Sequence, residues 1–192
     1  MSMTRLLVLG AVIEHGTAHG YQVRKDVESW RIDLWGGLGQ GSIYHALRQL
    51  ASSGLLEAVE VEERATAPAR TLYRVTPDGR SVFTEMLEEM LASADCTPSE
   101  TMSTIGFLTK LTRERAVALL DRRIQSCVAK RDRVADVYER LSEEEWGHHA
   151  EAIRFWVGSA EADIAWAEQL IERLRSGDYV MADDSNGEKA GA

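Results

Sequence analysis

The sequence contains few cysteines and few prolines, and it has no long apolar run. Its two cysteines, Cys96 and Cys127, lie in separate segments without CxxC spacing, which argues against a disulfide framework or a zinc ribbon. No stretch of about 18 apolar residues is present, so we predict no membrane span. The apolar segment LLVLGAVI near the N-terminus lacks a cleavage pattern and indicates a core helix rather than a signal peptide. We therefore expect a cytoplasmic protein with two free, buried thiols.

Motifs of enzymes and of cofactor-binding proteins are missing as well. The sequence has no GxSxG, no glycine-rich phosphate loop and no paired Cys–His arrangement. His148 and His149 are neighbours, but adjacent side chains on a helix point about 100° apart, and no HExxH spacing is present. We predict that the protein is not an enzyme and that it holds no metal and no cofactor.

The negative charge is unevenly distributed along the chain. The formal net charge is −9, yet residues 1–80 contain 9 basic and 9 acidic residues and are neutral. The excess of acidic residues therefore belongs entirely to residues 81–192. A neutral domain can bind phosphate when its cations gather on one face. Glu60, Glu62 and Glu63 weaken that case locally and favour either moderate non-specific affinity or a wing that contacts DNA only through its return strand.

Residues 1–80 carry the pattern of a winged helix-turn-helix. Apolar residues at helical spacing predict three helices, over about residues 5–14, 21–30 and 42–53. Gly54 is well placed to end the third helix. Alternating residues then predict two short strands, one around Val59 and one over residues 71–75, joined by a polar connector that contains Pro68.

The third predicted helix has an apolar side and a polar side. The apolar side is formed by Ile43, Ala46, Leu47 and Leu50. In a helix-turn-helix the second helix of the motif enters the major groove of DNA. The candidate DNA-binding residues are Gln40, Ser42, Tyr44, His45 and Arg48 on this helix, and Arg64, Arg70 and Arg74 on the hairpin. Arg48 and His45 are the expected base readers, because the fork of an arginine matches the two acceptors of guanine.

The second half of the chain is predicted to be helical throughout. A short helix is expected over about residues 101–111, followed by a long one with apolar residues three and four apart. That spacing is typical of a coiled-coil seam, and it runs through Val117, Leu120, Ile124, Cys127, Arg131, Val134, Tyr138 and Leu141. A last helix, over about residues 144–175, has similar spacing and can pair with the long helix antiparallel. We expect Arg131 and Asp163 to form an ion pair across the helices or across a dimer.

These patterns predict a mostly α-helical protein with a small β-hairpin. We expect a winged helix-turn-helix DNA-binding domain over residues 1–95 and an α-helical, coiled-coil-like dimerisation domain over residues 96–176. The polar tail, residues 177–192, is expected to be disordered.

The sequence also resembles the PadR family of bacterial transcriptional regulators. The likeness is carried by LLVLGAVIEHGTAHGYQVRKDV, GQGSIYHALRQLASSGLLEA and LYRVTPDGR, and more weakly by EAIRFWVGSAEADIAWAEQLIERL. Its long helical second half is similar to that of the larger PadR subfamily. The resemblance implies a homodimeric repressor that binds an inverted-repeat operator in double-stranded DNA. It places the recognition positions on Ser42, Tyr44, His45 and Arg48. One departure is the glycine-rich WGGLGQG, where relatives often have a proline.

Five tryptophans are many for 192 residues. Ordinary packing in the core and in a dimer accounts for them. Some PadR relatives bind an aromatic effector, and in that case Trp35, Trp156 or Trp166 would line its pocket. Two other functions stay open at this point. The chain could be a protein-interaction module that reuses a winged helix, or a protein that sequesters a small molecule without binding DNA.

Overall fold

The computed structural model describes residues 3–30, 40–60, 71–139 and 143–184. The chain divides into two compact units. The N-terminal unit consists of Met1–Met90 and Thr97–Phe107, and the helical unit consists of Leu91–Cys96 and Leu108–Ala192. Within the described residues, no helix combines the length and the apolar character needed to cross a bilayer.

The N-terminal unit is built from helices around a small sheet. Its helices are α1 (Met3–His15), α2 (Gly20–Ser29), α3 (Gln40–Ser52), α4 (Pro77–Ala92, whose last two residues group with the helical unit) and α5 (Pro98–Ile105). Its strands are β1 (Thr17–His19), β2 (Leu56–Glu60) and β3 (Thr71–Val75). The predicted helix-turn-helix and hairpin are confirmed, and α1 is buried along most of its length, as its apolar sequence predicts.

The sheet has a third strand that was not predicted. The strand order is β1-β3-β2, and both outer strands run antiparallel to β3. Tyr73 on β3 pairs with Ala18 on one side and with Ala58 on the other. The segment that forms β1 is bounded by Gly16 and Gly20, so its sequence indicates a turn. Strand β1 forms because it pairs with the free edge of β3. Local sequence patterns do not predict such a tertiary pairing.

The helix after the winged region starts earlier than predicted. Thr97 and Glu100 form a capping box, with Pro98 at the first helical position, so α5 begins at Pro98; it ends at Ile105, and Gly106 is its C-cap. A separate 3-10 turn follows over Leu108–Lys110. The prediction of one helix over residues 101–111 is therefore wrong.

Phe107 belongs to the core of the N-terminal unit. Its ring makes edge-to-face contacts with Trp30 and Phe83, at centroid distances of 5.5 and 5.3 Å, and it rests on Gly10 of α1. The segment Thr97–Phe107 thus packs with the N-terminal helices. The domain boundary between residues 95 and 96 stays a prediction.

The helical unit is an antiparallel hairpin of two long helices, as predicted. These are α6 (Arg113–Glu139) and α8 (His149–Ser176), with the short α7 (Glu143–Trp146) between them. Gly147, at φ +51°, separates α7 from α8, so the last helix begins later than expected. The buried seam contains Ala116, Leu119, Leu120 and Cys127 from α6, and Ala167, Leu170, Ile171 and Leu174 from α8.

The predicted ion pair between Arg131 and Asp163 does not form across the two long helices. Asp163 binds Arg123, which is buried at the seam, whereas Arg131 pairs with its neighbour Asp132. The buried arginine of the α6 seam is therefore residue 123, whereas the Arg131 side chain is 32% exposed.

The first residues of the predicted tail are placed by contacts with α6. The Arg113 guanidinium donates to the carbonyl oxygens of Leu174 and Tyr179 and pairs with Asp184. Met181 is fully buried. Residues 185–192 lie outside the described residues, and the disorder of the tail stays a prediction.

Candidate nucleic-acid interface

Helix α3 buries its apolar side and exposes its polar side. Ile43, Ala46, Leu47 and Leu50 are at most 4% exposed. The exposed residues on the other side are Ser42, Tyr44, His45, Arg48 and Gln49. Tyr44 keeps 40% of its surface accessible although it is a large aromatic residue. The polar side chains predicted to read DNA therefore point away from the core.

The exposed side chains of α3 occupy an arc of about 160° around the helix. At about 100° per residue, Arg48 and His45 lie about 60° apart near the centre of the exposed face. Tyr44 lies at one border of this face, and Ser42 lies at the other. Gln49 is close to Ser42. Short and long polar groups are thus spread across the width of the helix, as a major-groove reader requires.

One groove borders α3 on the Tyr44 side, and we call it the α2 groove. It is lined by His19, Gly20, Tyr21, Tyr44, Thr71 and Tyr73, and its volume is about 440 Å³. His19 caps α2 by accepting a hydrogen bond from the backbone N–H of Gln22. Gly20 lies directly against the Tyr44 ring, since a Cβ atom there would be 2.7 Å from Cε1 of Tyr44. Sequence analysis found Tyr44 but missed the other walls, which come from two separate segments, residues 19–21 and residues 71–73.

A second groove borders α3 on the opposite side, and we call it the α1 groove. It is lined by Thr4 and Arg5 from α1 and by Gly41, Ser42, His45, Ala46 and Gln49 from α3, with a volume of about 420 Å³. Arg5 was not among the predicted site residues. It stands 37 residues before Ser42, and only the packing of α1 against α3 brings the two together.

The hairpin contributes one described candidate. Arg74 on β3 is exposed, and its guanidinium lies 3.9 Å from the carboxylate of Glu57 on β2. Exposed pairs of this length contribute little stability, so Arg74 can exchange Glu57 for another anion. Arg64 and Arg70 lie outside the described residues, as does Trp35. Gln40 begins α3, but its side chain is also outside what the structure describes.

The two described tryptophans of the predicted effector site do not meet. The Lys130 ammonium lies 5.4 Å from the ring centroid of Trp156, and the Arg123 guanidinium lies 5.6 Å from that of Trp166. Ten residues separate the two rings on α8, which is about 15 Å along the helix axis. Each ring is instead packed against a cation of α6.

A more enclosed apolar cavity lies in the N-terminal unit. Its volume is about 400 Å³, which falls in the range of small-molecule sites. It is lined by Leu7, Glu14, Trp30, Met102, Ser103, Ile105, Gly106 and Phe107. The sequence gave no signal for this cavity, because it forms where α5 packs against α1 and the end of α2.

No metal site is evident in the described ranges, where no three histidine, cysteine or acidic side chains converge. His148 and His149 stack on each other with ring centroids 4.1 Å apart. Both are exposed at the start of α8.

The N-terminal part of the chain is similar to a known protein family. The family described as "Transcriptional regulator PadR-like family" matches residues 8–85. No curated protein matches the sequence. Three similar solved structures are Bacillus subtilis PadR in complex with operator DNA, the same protein in complex with p-coumaric acid, and smu.1604c from Streptococcus mutans UA159.

These likenesses extend over most of each chain but are low in identity. The operator complex is 18% identical, with 88% of this chain and 98% of that chain covered, at a TM-score of 0.41. The p-coumaric acid complex is 17% identical, with 91% and 99% covered, at 0.38. The Streptococcus protein is 17% identical, with 90% and 96% covered, at 0.40.

Proposed function

We propose, from the match of residues 8–85 to the PadR-like family of transcriptional regulators, that the protein is a homodimeric repressor that binds an inverted repeat in double-stranded DNA. The observation that carries this proposal is the exposed polar face of α3. Arg48 and His45 lie at its centre, where a helix in the major groove meets the edges of the bases. Arg48 would bind guanine through both of its terminal nitrogens, and Arg74 would bind the DNA backbone from the hairpin.

Dimerisation is assigned to the helical unit. Near the turn between α6 and α8, several apolar side chains are accessible to solvent. Near Leu174, by contrast, the apolar side chains of the seam are buried. Phe155 is 79% exposed and Val137 is 51% exposed, while Ile153 and Trp156 are half-buried. A second copy of the chain would cover this surface. A two-fold dimer would then present its two α3 helices to half-sites about one DNA turn, or a multiple of it, apart.

We also propose that binding of a small molecule releases the protein from DNA. The cavity between α1 and α5 is apolar and large enough for an aromatic compound. Trp156 and Trp166 are the second candidate site, and they would bind such a compound only if it displaced Lys130 or Arg123 from their rings. Either site acts as a switch only when the ligand binds the DNA-free arrangement more tightly than the DNA-bound one.

Selection of bound duplexes from random DNA, at two salt concentrations, tests the DNA-binding proposal. We expect enrichment of an inverted repeat. Arg48→Ala should then lose about 1–3 kcal/mol of discrimination at one base pair of each half-site. Tyr44→Ala should weaken binding without unfolding the protein. Arg122→Ala, which removes an exposed cation from α6, is the matched control and should bind as the unchanged protein does. Failure of any duplex to be enriched would refute the proposal.

A protein that sequesters a small molecule is the second candidate function. The cavity lined by Trp30 and Phe107 favours it, because binding there would not require DNA. Quenching of tryptophan fluorescence by aromatic compounds, combined with the absence of any enriched duplex, would support this function over the repressor.

A further inference from the structure

The apolar cavity of the N-terminal unit is bordered by groups that carry negative charge. All of its described lining residues belong to that unit, and none of them is basic. We propose that the cavity binds a compound with an apolar or aromatic body and a cationic head, such as a protonated amine, rather than an aromatic carboxylate. This inference rests on the small-molecule part of the proposed function and adds the chemical class of the ligand.

Three helices end beside the cavity. Glu14 is the last residue but one of α1, Trp30 caps the C-terminus of α2, and Gly106 caps that of α5. All three residues line the cavity. The C-terminus of a helix carries about half a negative charge, because its last carbonyl groups have no partner within the helix. The three helix ends therefore favour a cation in the cavity and oppose an anion.

The basic residue at these helix ends has its own counterion. The last turns of α2 and α5 contain no basic residue, and the last turn of α1 contains His15. Nε2 of His15 lies 2.8 Å from the carboxylate of Asp26, and the side-chain amide of Gln22 lies 3.2 Å from Nδ1. When His15 is protonated, its charge is therefore matched by Asp26 and not offered to the cavity.

Glu14 supplies a full negative charge at one end of the cavity. Its side chain is exposed, and it is the acidic residue among the described lining residues. Leu7, which is buried, lies two turns earlier on the same helix, so the lining extends about 10 Å along α1. A ligand of that length can bury its apolar end beside Leu7 while its head group reaches the carboxylate. Hydrogen bonds between an ammonium group and a carboxylate are about twice as strong as neutral ones.

The remaining polar and aromatic groups of the lining also suit a cation. The rings of Trp30 and Phe107 contact each other edge to face at 5.5 Å, and aromatic faces attract cations and pack against apolar groups. The Ser103 hydroxyl donates to the carbonyl oxygen of Ser99 at 2.9 Å, so it can only accept from a ligand. An ammonium group donates hydrogen bonds, whereas a carboxylate accepts them. The lining therefore matches an ammonium group and leaves a carboxylate without donors.

Three probes of one shape test the charge of the ligand: phenylpropylammonium, phenylpropanol and phenylpropionate. Isothermal titration calorimetry at neutral pH measures the affinity of each probe for the full-length protein. We expect the ammonium compound to bind at least about tenfold more tightly than the carboxylate, with the neutral alcohol between them. Tighter binding of the carboxylate, or equal affinities of the ammonium compound and the alcohol, would overturn the inference.

Substitutions of Glu14 test the position of the head group. Glu14→Gln should reduce the affinity for the ammonium compound by about tenfold and leave that for the alcohol unchanged. Glu14→Lys should reverse the preference, so that the carboxylate binds more tightly than the ammonium compound. Both substitutions remove a negative charge from a helix C-terminus, which the helix tolerates, and circular dichroism verifies that the variants are folded.

Glu172→Gln is the matched control, because it removes an exposed carboxylate from α8. It should bind all three probes as the unchanged protein does. If Glu14→Gln does the same, Glu14 does not hold the head group and the inference is overturned.

Titration of the selected duplex with and without each probe separates this inference from the proposed function. If the ammonium compound binds with the expected preference but leaves the affinity for DNA unchanged, the inference stands and the proposed release of DNA fails. If the protein binds the duplex while none of the probes binds, the inference fails and the proposed DNA binding stands.

Discussion

The Asp163 carboxylate on α8 accepts three hydrogen bonds from the Arg123 guanidinium on α6. Nε of Arg123 donates to Oδ1 at 2.9 Å, and one terminal nitrogen donates to Oδ2 at 2.8 Å. The other terminal nitrogen donates to the carbonyl oxygen of Ser93 at 2.7 Å. The Arg123 side chain is 3% exposed, and the face of Trp166 covers it. One buried cation therefore joins both long helices to the segment Leu91–Cys96.

We predict that Asp163→Ala destabilises the protein by about 3–5 kcal/mol, because it leaves a buried guanidinium without its counterion. The free energy of unfolding is measured by urea titration, with far-ultraviolet circular dichroism as the signal. Asp132→Ala is the matched control, since Asp132 pairs with Arg131 at an exposed position. It should change stability by at most about 0.5 kcal/mol. Equal effects of the two substitutions would contradict the role assigned to the buried pair.

A second prediction concerns two glycines in helices. In an exposed helix, replacing glycine by alanine stabilises by about 0.5–1 kcal/mol. Gly158 on α8 is exposed, and a methyl group there would meet no atom within 4 Å, so Gly158→Ala should stabilise by that amount. A methyl group at Gly10 would overlap the ring of Phe107. Overpacking costs about 1–3 kcal/mol, so Gly10→Ala should destabilise. Thermal unfolding of both variants measures whether each substitution raises or lowers stability. Stabilisation by Gly10→Ala would show that the Phe107 ring can move away without cost.

A third prediction follows from the environment of Cys127. Burial, with the nearby Asp163 carboxylate, raises the pKa of this thiol to about 11. An unfolded thiol ionises near pH 8.5. The folded state keeps the proton longer, so this contribution to stability is fully present below about pH 8.5 and is lost as the pH rises to about 11. Over this window the free energy of unfolding should fall more steeply in the unchanged protein than in Cys127→Ser.

Thiol reactivity provides an independent measurement of the same property. At pH 8, Cys127 in the Cys96→Ser variant should react with a disulfide reagent much more slowly than Cys96 does in the Cys127→Ser variant. Cys96 is only half-buried. The thiolate is the reactive form, and burial of Cys127 limits both its population and its access. Equal rates would contradict the raised pKa.

The sequence predicted those helices and strands that bury one side against the core, because this burial produces a periodic pattern of apolar residues. The polar face around Arg48 follows from apolar residues at helical spacing, and the hairpin follows from alternation along β3. Strand β1 was missed because its pairing with Tyr73 is a tertiary contact between residues far apart in sequence. Periodicity also led to Arg131 in place of Arg123, since a buried arginine looks like an interruption of the seam when its partner is unknown.

The same limit applies to the candidate site. Residues on α3 were predictable because one helix presents them all. Arg5 and Tyr21 were not, because they come from different helices and meet α3 only after packing. The cavity beside Trp30 depends on Phe107, which sequence reasoning had assigned to the dimerisation domain. Arg5, Tyr21 and Phe107 each reach their place only through tertiary contacts, which local sequence patterns do not show.

A last prediction uses the contact between Gly20 and Tyr44. Any side chain at residue 20 must push the Tyr44 ring away, since its Cβ would lie 2.7 Å from Cε1 of that ring. Gly20→Ala should therefore weaken binding of the selected duplex by about as much as Tyr44→Ala does, although residue 20 itself offers no group to DNA. Adding Gly20→Ala to Tyr44→Ala should have little further effect, because the ring that the methyl group displaces is already absent. Anisotropy titrations of the two single variants and the double variant measure this coupling. If the losses in binding free energy add instead, Gly20 acts through the stability of α2 and not through the position of Tyr44.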